Sequence, residues 1–312
     1  MVRTKGKAVV RGLIRAVDST VNLAVLVTFL FLLAYGCYGM WDSHQIYQEA
    51  SAEKYEIYKP SVDNSLSFEE FCDINPEVFG WLNVYGTGID YPIVQSEDSN
   101  EKYLNTDASG NYSLSGSLFL DYRNQKDLMD FNSIIYGHHM EKGTMFGDIG
   151  KFFDEEYFNS HKHGTLFYDG QEHGLEFWAA LRVNAYDTVI YQPAITDKQN
   201  QSAYINWIQK NAINIRNINI TPDDKLVLLS TCASQPTDGR HILIGRITDK
   251  IYPDTFKEIN TGAKKIKDTI DSRSLWTGIR RVPVWGWICM AGLFIVIAII
   301  ITRKRMKHRK NK

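Results

Sequence analysis

The amino-acid sequence predicts a mainly β protein, built as one closed eight-stranded barrel between two apolar segments. From Gly80 onward, short β-type runs are broken by Gly, Asn and Asp, and few helix-type segments interrupt them. Closing these strands into a barrel removes the unpaired edges that an open sheet would expose. Residues 21–40 and 284–302 carry no charge, and each is close to the roughly 20 apolar residues that a membrane-spanning helix needs.

Polar sequence with scattered aromatic residues follows the first apolar segment. We expect one or two short helices there, one of them beginning near Ser65 with Glu69 and Glu70 at its positive end. The eight predicted strands are 81–85, 91–95, 117–122, 132–136, 165–168, 175–185, 226–231 and 240–249. Inserted helices are expected at 146–158 and, between the sixth and seventh strands, at 197–212.

Charge at the two ends predicts the orientation in a membrane. The first 20 residues carry +4 and the last ten +7, which leaves about −12 for the rest of the chain. Because basic residues flank spans on the cytoplasmic side, we expect a two-span protein of the cell membrane with both termini in the cytoplasm and an extracellular barrel. The acidic middle segment argues against a nucleic-acid partner.

These patterns divide the chain into seven parts. They are a basic tail (1–20), a transmembrane helix (21–40), a linker with N-terminal helices (41–79), the β-barrel (80–258), an extracellular stalk (259–283), a second transmembrane helix (284–302) and a basic tail (303–312).

The four cysteines do not indicate a disulfide framework, because two of them fall within the predicted spans. Cys37 and Cys289 fall within the two spans, so that Cys72 and Cys232 are the external thiols. Cys232 stands where an apolar strand meets a polar loop, and Arg240 opens the next strand. A cation beside the sulfur would favour the thiolate, or would hold the oxyanion formed when a thiolate attacks a carbonyl. Taken alone, the cysteine also fits an inert buried residue and the arginine an exposed charge.

A thiol nucleophile needs an imidazole to move protons, and His138 and His139 directly follow the strand that ends at Tyr136 and Gly137. Both also fit ordinary loop histidines. A zinc site at His161, His163 and His173 is a weaker alternative, because the chain contains neither an HExxH nor a CxxC motif. The sequence has no phosphate-binding loop, no GxGxxG and no GxSxG motif either.

Three stretches together resemble the sortases, membrane-bound cysteine transpeptidases of Gram-positive-type bacteria, and class B most closely. They are GSLFLDYRN at 116–124, IIYGHHMEKGTMFGDIGKF at 134–152 and LLSTCASQPTDGR at 228–240. The resemblance implies a sortase-like barrel with His138, Cys232 and Arg240 as catalytic residues. The family's TLxTC signature has Leu228 in place of its first threonine. A second membrane span is commoner in the pilin-polymerising class C, whose TCTPYGxN motif is absent here.

The resemblance also implies the reaction and its partners. The Cys232 thiolate would attack a threonyl carbonyl in a C-terminal sorting signal of a surface protein or pilin and form a thioester. The acyl group would then pass to an amine of a peptidoglycan cross-bridge, of lipid II or of a pilin lysine, without a cofactor. Candidate substrate-binding residues are Tyr186, Tyr191, Ser230 and Thr231. The alternatives are a Cys-His cell-wall hydrolase, which is also a thiol protease, and a non-enzymatic ectodomain acting as receptor or scaffold.

Overall fold

The computed structural model describes residues 2–60, 66–232 and 238–257. The described residues divide into two units, one within residues 2–45 and the other within residues 46–257. Helix α1 (Val2–Glu49) contains the predicted span 21–40, which lies in the first unit, and its last four residues, 46–49, belong to the second unit. It is the one helix in the described part of the chain that is long and apolar enough to cross a membrane. The predicted span 284–302 lies outside the described residues.

A closed barrel of eight strands forms the second unit, which confirms the predicted fold class. The strands are β1 (Val78–Val84), β2 (Asp90–Val94), β3 (Leu118–Leu120), β4 (Asn132–Gly137), β5 (His163–Tyr168), β6 (Gln171–Asn184), β8 (Lys225–Cys232) and β9 (Gly239–Thr248), and a two-residue strand β7 (Asn214–Ile215) pairs with β6. Their order is β5, β1, β2, β3, β4, β8, β9, β6, and β6 pairs back onto β5. The pairs β2–β3 and β4–β8 are parallel, whereas the other pairs around the barrel are antiparallel.

Short helices lie outside the barrel. Helix α2 spans Leu66–Ile74, α3 spans Glu155–Ser160 and α4 spans Lys198–Asn211, while the longer 3-10 helices are Ala52–Tyr58 and Gly147–Phe153. The helix expected at 146–158 is therefore two helices. Asp154 interrupts it, because its backbone is extended and its carboxylate accepts the Tyr157 N–H at 2.8 Å as the N-cap of α3.

Strand β8 is buried on both faces. Val227 and Leu229 belong to the core cluster inside the barrel, and Leu226 and Leu228 belong to a second cluster beneath α4. Successive side chains of a strand point to opposite faces, so that a strand covered on both sides reads as a continuous apolar run. This double burial explains the sequence LVLLS that precedes Cys232.

Asn132, at the start of β4, ties the long connection between β6 and β8 to the barrel. The side chain is fully buried, donates to the carbonyl of Gln192 at 2.7 Å and accepts the N–H of Ile195 at 3.1 Å. A buried amide can thereby satisfy two backbone groups that have left the strand ladder.

Replacing Asn132 by alanine is expected to lower the free energy of unfolding by about 1 to 3 kcal/mol, because the buried N–H of Ile195 loses its partner and the carbonyl of the exposed residue Gln192 loses a hydrogen bond. Asn211→Ala is the matched control, since the exposed Asn211 donates one bond to the carbonyl of Trp207 and should cost less than about 0.5 kcal/mol. Thermal unfolding of both variants measures the difference. Equal melting temperatures would contradict the role assigned to Asn132.

The imidazole of His241, in β9, is buried against the 3-10 helix Gly147–Phe153. Its ring contacts Phe153 edge-on at 4.7 Å between centroids, and a side chain at Gly150 would begin 3.1 Å from Nδ1. Nδ1 has no hydrogen-bond partner within the described part of the chain. Burial, with the charges of Arg182 and His139, lowers the pKa of His241 to about 4.

Acid should therefore destabilise the fold through His241. Between its ordinary pKa of about 6.5 and about 4, the unfolded chain binds a proton that the folded chain does not, so stability falls as the pH falls through this window. We expect His241→Asn to lose less stability than the parent chain between pH 6.5 and 4.5 in urea unfolding. Parallel curves for the two proteins would show that His241 does not cause the loss.

Candidate active site

The ends of three neighbouring strands place the predicted site residues in one row. Strand β4 pairs with β8 in parallel so that Gly137 lies beside Thr231, and β8 pairs with β9 so that Cys232 lies beside Arg240. His138 follows Gly137 directly. Because neighbouring strands lie about 4.8 Å apart, the backbones of His138, Cys232 and Arg240 come together at one edge of the sheet. We call these three residues the site row; the side chain of Cys232 lies outside the described part of the structure.

A cavity of about 350 Å³ opens beside the site row. Its described lining includes His138 and Arg240 together with three of the predicted substrate-binding residues, Tyr191, Ser230 and Thr231. Tyr186 does not line it among the described residues; its neighbour Ala185 does, and the Tyr186 side chain is 79% exposed. The structure therefore brings six of the seven predicted site positions to one edge or cavity and leaves Tyr186 outside.

His138 is oriented by a backbone carbonyl. Its Nε2 lies 2.8 Å from the carbonyl oxygen of Leu104, which belongs to a short 3-10 helix, Lys102–Leu104. A carbonyl oxygen only accepts, so Nε2 carries a proton and Nδ1 is the nitrogen that can take up or give one. In this tautomer the neutral imidazole can act as a base through Nδ1. After Nδ1 takes up a proton, the imidazolium can keep the same bond from Nε2 to the Leu104 carbonyl.

Arg240 lies at the rim of the same cavity. One of its Nη1 hydrogens is directed to the carbonyl of Gly239 at 2.9 Å. A guanidinium has five N–H donors in a planar fork, so this bond orients the group while other donors can face a bound peptide. Such a donor suits either a developing oxyanion or the carbonyl groups of a substrate.

Two stacked tyrosines form one wall of the cavity. The rings of Tyr136 and Tyr191 are 6.3 Å apart, and the hydroxyl of Tyr191 is 2.9 Å from Oγ of Ser230. Tyr136 donates to the carboxylate of Asp121 at 3.0 Å. Burial and the charge of Asp121 raise the pKa of Tyr136, so that its hydroxyl stays protonated and keeps donating.

The Asp121 carboxylate is fully buried and supports this wall of the cavity by accepting the hydrogen bond from Tyr136. Both of its oxygens accept from Arg123 at 2.8 Å, and one also accepts from Asn100 at 3.0 Å. Burial alone would raise the pKa of Asp121, but the hydrogen bonds and charge of Arg123 outweigh it and lower that pKa. Sequence reasoning does not identify Tyr136, Asp121, Arg123 or Asn100 as site residues, although the first resembling stretch, GSLFLDYRN, contains both the aspartate and the arginine.

Three further histidines stack on aromatic rings. His161 stacks on Tyr157 at 3.7 Å, His163 on Tyr252 at 3.8 Å and His173 on Tyr168 at 4.2 Å. Among the residues that the structure describes, no three His, Cys, Asp or Glu side chains are grouped so that they could hold a metal ion. The zinc alternative for these three histidines is therefore not supported.

Comparison with known proteins identifies relatives, although no protein-family model matches the chain. The sortase B of Listeria monocytogenes is 31% identical over 183 residues, which are 57% of this chain and 72% of that protein. The structure of sortase B from the type II pilus of Streptococcus pneumoniae has 45% sequence identity and a TM-score of 0.51, over 59% of this chain and 99% of that one. A class B sortase of Streptococcus pyogenes involved in pilus biogenesis has 39% identity and a TM-score of 0.54, over 58% and 98%.

These relatives are similar to the chain in sequence, and the two solved structures are also similar to it in fold. The match to Listeria sortase B covers most of that protein at 31% identity, and the two solved structures are matched over nearly their whole length. The alternative of a non-enzymatic ectodomain is therefore wrong. The chain belongs to the class B sortases and is a cysteine transpeptidase.

Proposed function

We propose that this protein is a membrane-anchored sortase that cleaves a C-terminal sorting signal and joins the remaining substrate to an amine through a thioester on Cys232. The observation that carries the proposal is the site row: an imidazole, a thiol and a guanidinium residue at the ends of three paired strands, beside a cavity of about 350 Å³. Membership of a cysteine transpeptidase family supports transfer to an amine over the alternative of a cell-wall hydrolase.

The first half-reaction forms the thioester. The Cys232 thiolate attacks the threonyl carbonyl of the signal, and the oxyanion of the tetrahedral intermediate is stabilised by the guanidinium of Arg240. As the intermediate collapses, the C–N bond breaks and His138 gives its proton to the departing amine. Because Nε2 is held by the Leu104 carbonyl, the mobile proton is that of Nδ1.

The second half-reaction reverses these roles. An incoming amine attacks the thioester carbonyl while His138 removes a proton from it, and the new tetrahedral intermediate is again stabilised by Arg240. Collapse breaks the C–S bond, releases the thiolate and leaves a new amide. Every proton taken by the imidazole in one half is returned in the other, so no cofactor is needed.

The tyrosine wall is the proposed binding surface for the sorting signal. Tyr191, Ser230 and Thr231 line the cavity and would contact the residues just before the scissile bond. Tyr186, one position beyond the lining residue Ala185, would contact the substrate only where the peptide extends past the cavity.

A pilin lysine is the acceptor that the comparisons favour. The two solved structures with 45% and 39% identity are described as a sortase of a type II pilus and a sortase involved in pilus biogenesis. The predicted second span at 284–302 points the same way, since two spans are commoner among pilin-polymerising sortases. Attachment of a surface protein to a peptidoglycan cross-bridge or lipid II remains the other use of the same chemistry.

Localisation in the membrane follows from the two ends of the chain. Helix α1 contains the apolar residues 21–40 and would serve as one anchor, with 284–302 as the second. The basic tails assign both termini to the cytoplasm, so the barrel would face the cell exterior, where its substrates and the amine acceptor are found.

Substitution of each member of the site row tests the reaction. Cys232→Ala and His138→Ala are expected to abolish product formation, and Arg240→Lys to lower kcat about 100-fold, because the charge remains but the fork is lost. Cleavage of a peptide library that contrasts LPxTG-like with NPxTx-like signals provides the substrate, and mass spectrometry with an added pilin-lysine or cross-bridge amine identifies the product.

His139→Gln is the matched control for His138→Ala, since it changes the adjacent imidazole, and it should retain most of the activity. A product whose mass never depends on the added amine would show hydrolysis and not transpeptidation. An active Cys232→Ala protein would refute the mechanism outright.

Orientation is tested separately with intact cells. Protease added outside should digest the segment 41–280, while tags fused to either terminus should stay protected until the cells are permeabilised. Complete protection of the middle segment would reverse the proposed orientation. The measurement does not depend on enzymatic activity.

A further inference from the structure

His138 is followed by a tightly folded segment, residues 138–148, which we call the histidine loop. The loop closes on itself, because the Phe146 N–H donates to the carbonyl of His138 at 3.0 Å and His139 forms a bridge with Met145. Lys142 and Met145 have positive φ values of 62° and 50°. Such left-handed conformations are costly for residues with a side chain and persist only where neighbouring groups hold them.

One side of the histidine loop is held by the turn between β1 and β2. The Gly88 N–H donates to the Asp148 carboxylate at 3.1 Å, and a side chain at Gly88 would begin 2.2 Å from the carbonyl oxygen of Gly143. The backbones therefore approach so closely that only glycine fits there. These contacts hold the loop on both sides of Met145, at Gly143 and at Asp148.

Tyr91, in β2, holds the other side. Its hydroxyl accepts the N–H of the strained residue Met145 at 3.0 Å and donates to the carbonyl of Ala50 at 2.8 Å. Tyr91, Ala50 and Met145 are each 2% exposed, so neither bond competes with water. Burial raises the pKa of Tyr91 to about 12, which keeps the hydroxyl protonated and able to donate.

Ala50 directly follows the last residue of α1, and its own N–H donates to the Ile46 carbonyl at 3.0 Å. A second contact from the same helix end reaches the loop: the hydroxyl of Tyr47 donates to Glu141 at 3.4 Å, and the ammonium of Lys142 lies 4.3 Å above the Tyr47 ring. The C-terminal end of α1 thus touches the histidine loop at two places.

We propose that Tyr91 is a positioning residue, whose hydroxyl fixes the histidine loop to the end of α1 and so holds His138 in place for proton transfer. The proposal rests on the proposed catalytic role of His138. Tyr91 itself touches neither the cavity beside the site row nor any described member of that row. Its effect passes through Met145, which pairs with His139, the residue next to His138.

The geometry explains why one hydroxyl has this influence. His138 lies past the last residue of β4, so the strand ladder does not hold it, and the loop after it contains two strained residues. Without the Tyr91 hydroxyl, the Met145 N–H and the Ala50 carbonyl are both buried without a partner, and the strained conformation at Met145 loses its support. A displacement of about 1 Å at a catalytic group can reduce the rate about 100-fold.

Tyr91→Phe in the full-length chain in detergent tests the proposal, because it removes only the hydroxyl. Tyr85→Phe is the matched control: Tyr85 is also buried, and its hydroxyl donates to one carbonyl, that of Tyr252 at 3.1 Å, in the C-terminal segment and not in the histidine loop. The measurements are kcat and KM for the best library peptide, the melting temperature, and hydrogen exchange of the amides at 138–148.

For Tyr91→Phe we expect kcat to fall about 10- to 100-fold with KM changed less than about threefold, and exchange at Met145 and Phe146 to accelerate. Tyr85→Phe should keep the parent kcat and loop exchange even where its melting temperature falls as far. A parent-like kcat in Tyr91→Phe, a rise confined to KM, or an equal loss of kcat in Tyr85→Phe would overturn the proposal.

Two further variants keep the result interpretable. Should Tyr91→Phe not fold, Tyr47→Ala decides in its place, because Tyr47 lies at the surface of the same contact: a lower kcat at an unchanged melting temperature supports the coupling, and an unchanged kcat refutes it. His138→Ala separates the two levels of the argument. An active His138→Ala protein would refute the proposed function, whereas an inactive one beside a fully active Tyr91→Phe protein would refute only the positioning role.

Discussion

The parallel pairing of β4 with β8 is the constraint on which the site depends. Parallel strands end at the same edge of a sheet, so His138 and Cys232, far apart in the chain, come to lie side by side. Strand β9 begins at that edge because it is antiparallel to β8, which brings Arg240 to the other side of Cys232. A slip of one residue would turn every side chain of a strand to its opposite face. Such a slip in β8 would exchange two apolar sets that face differently shaped clusters, one inside the barrel and one beneath α4.

Much of this architecture can be predicted from the sequence, because turns and strands carry local signals. All eight predicted barrel strands are present, and the hairpin between β5 and β6 turns on Asp169 and Gly170, both with positive φ, as this dipeptide favours. Strand β7 is not predicted, since two residues offer no periodicity. Strand β6 begins at Gln171, earlier than predicted. The sequence does not indicate this start, because Gln171 and Glu172 are polar, exposed residues of the kind found in loops. The helix expected at 146–158 is interrupted at Asp154. Hydrophobic periodicity does not indicate that the Asp154 side chain caps the following helix.

Some features of the site can likewise be predicted from the sequence, and others cannot. Residue types at strand ends identify Cys232, Arg240 and the two adjacent histidines as candidates, whereas the choice of His138 comes from the resemblance to the sortases. The partner that orients His138 is a backbone carbonyl, that of Leu104, and no residue type signals the position of a carbonyl. Asp121 escapes prediction for another reason: its role depends on contacts with Arg123 and Tyr136 that form only when β3 and β4 pair. Tyr186 is predicted from its residue type, but its side chain is exposed to solvent and does not join the described cavity lining.

The members of the site row differ in how firmly the fold fixes their backbones. Cys232 and Arg240 face each other within an antiparallel ladder, whose hydrogen bonds hold their backbones. His138 lies beyond its strand and depends on what the histidine loop packs against. Close packing supports that loop at Gly88 and at the Tyr91 hydroxyl. In the proposed reaction the imidazole meets first a leaving and then an incoming amine, so it needs a fixed position and a mobile proton. The Tyr91 hydroxyl supports the first through two neutral hydrogen bonds, which add no further charge near the imidazole.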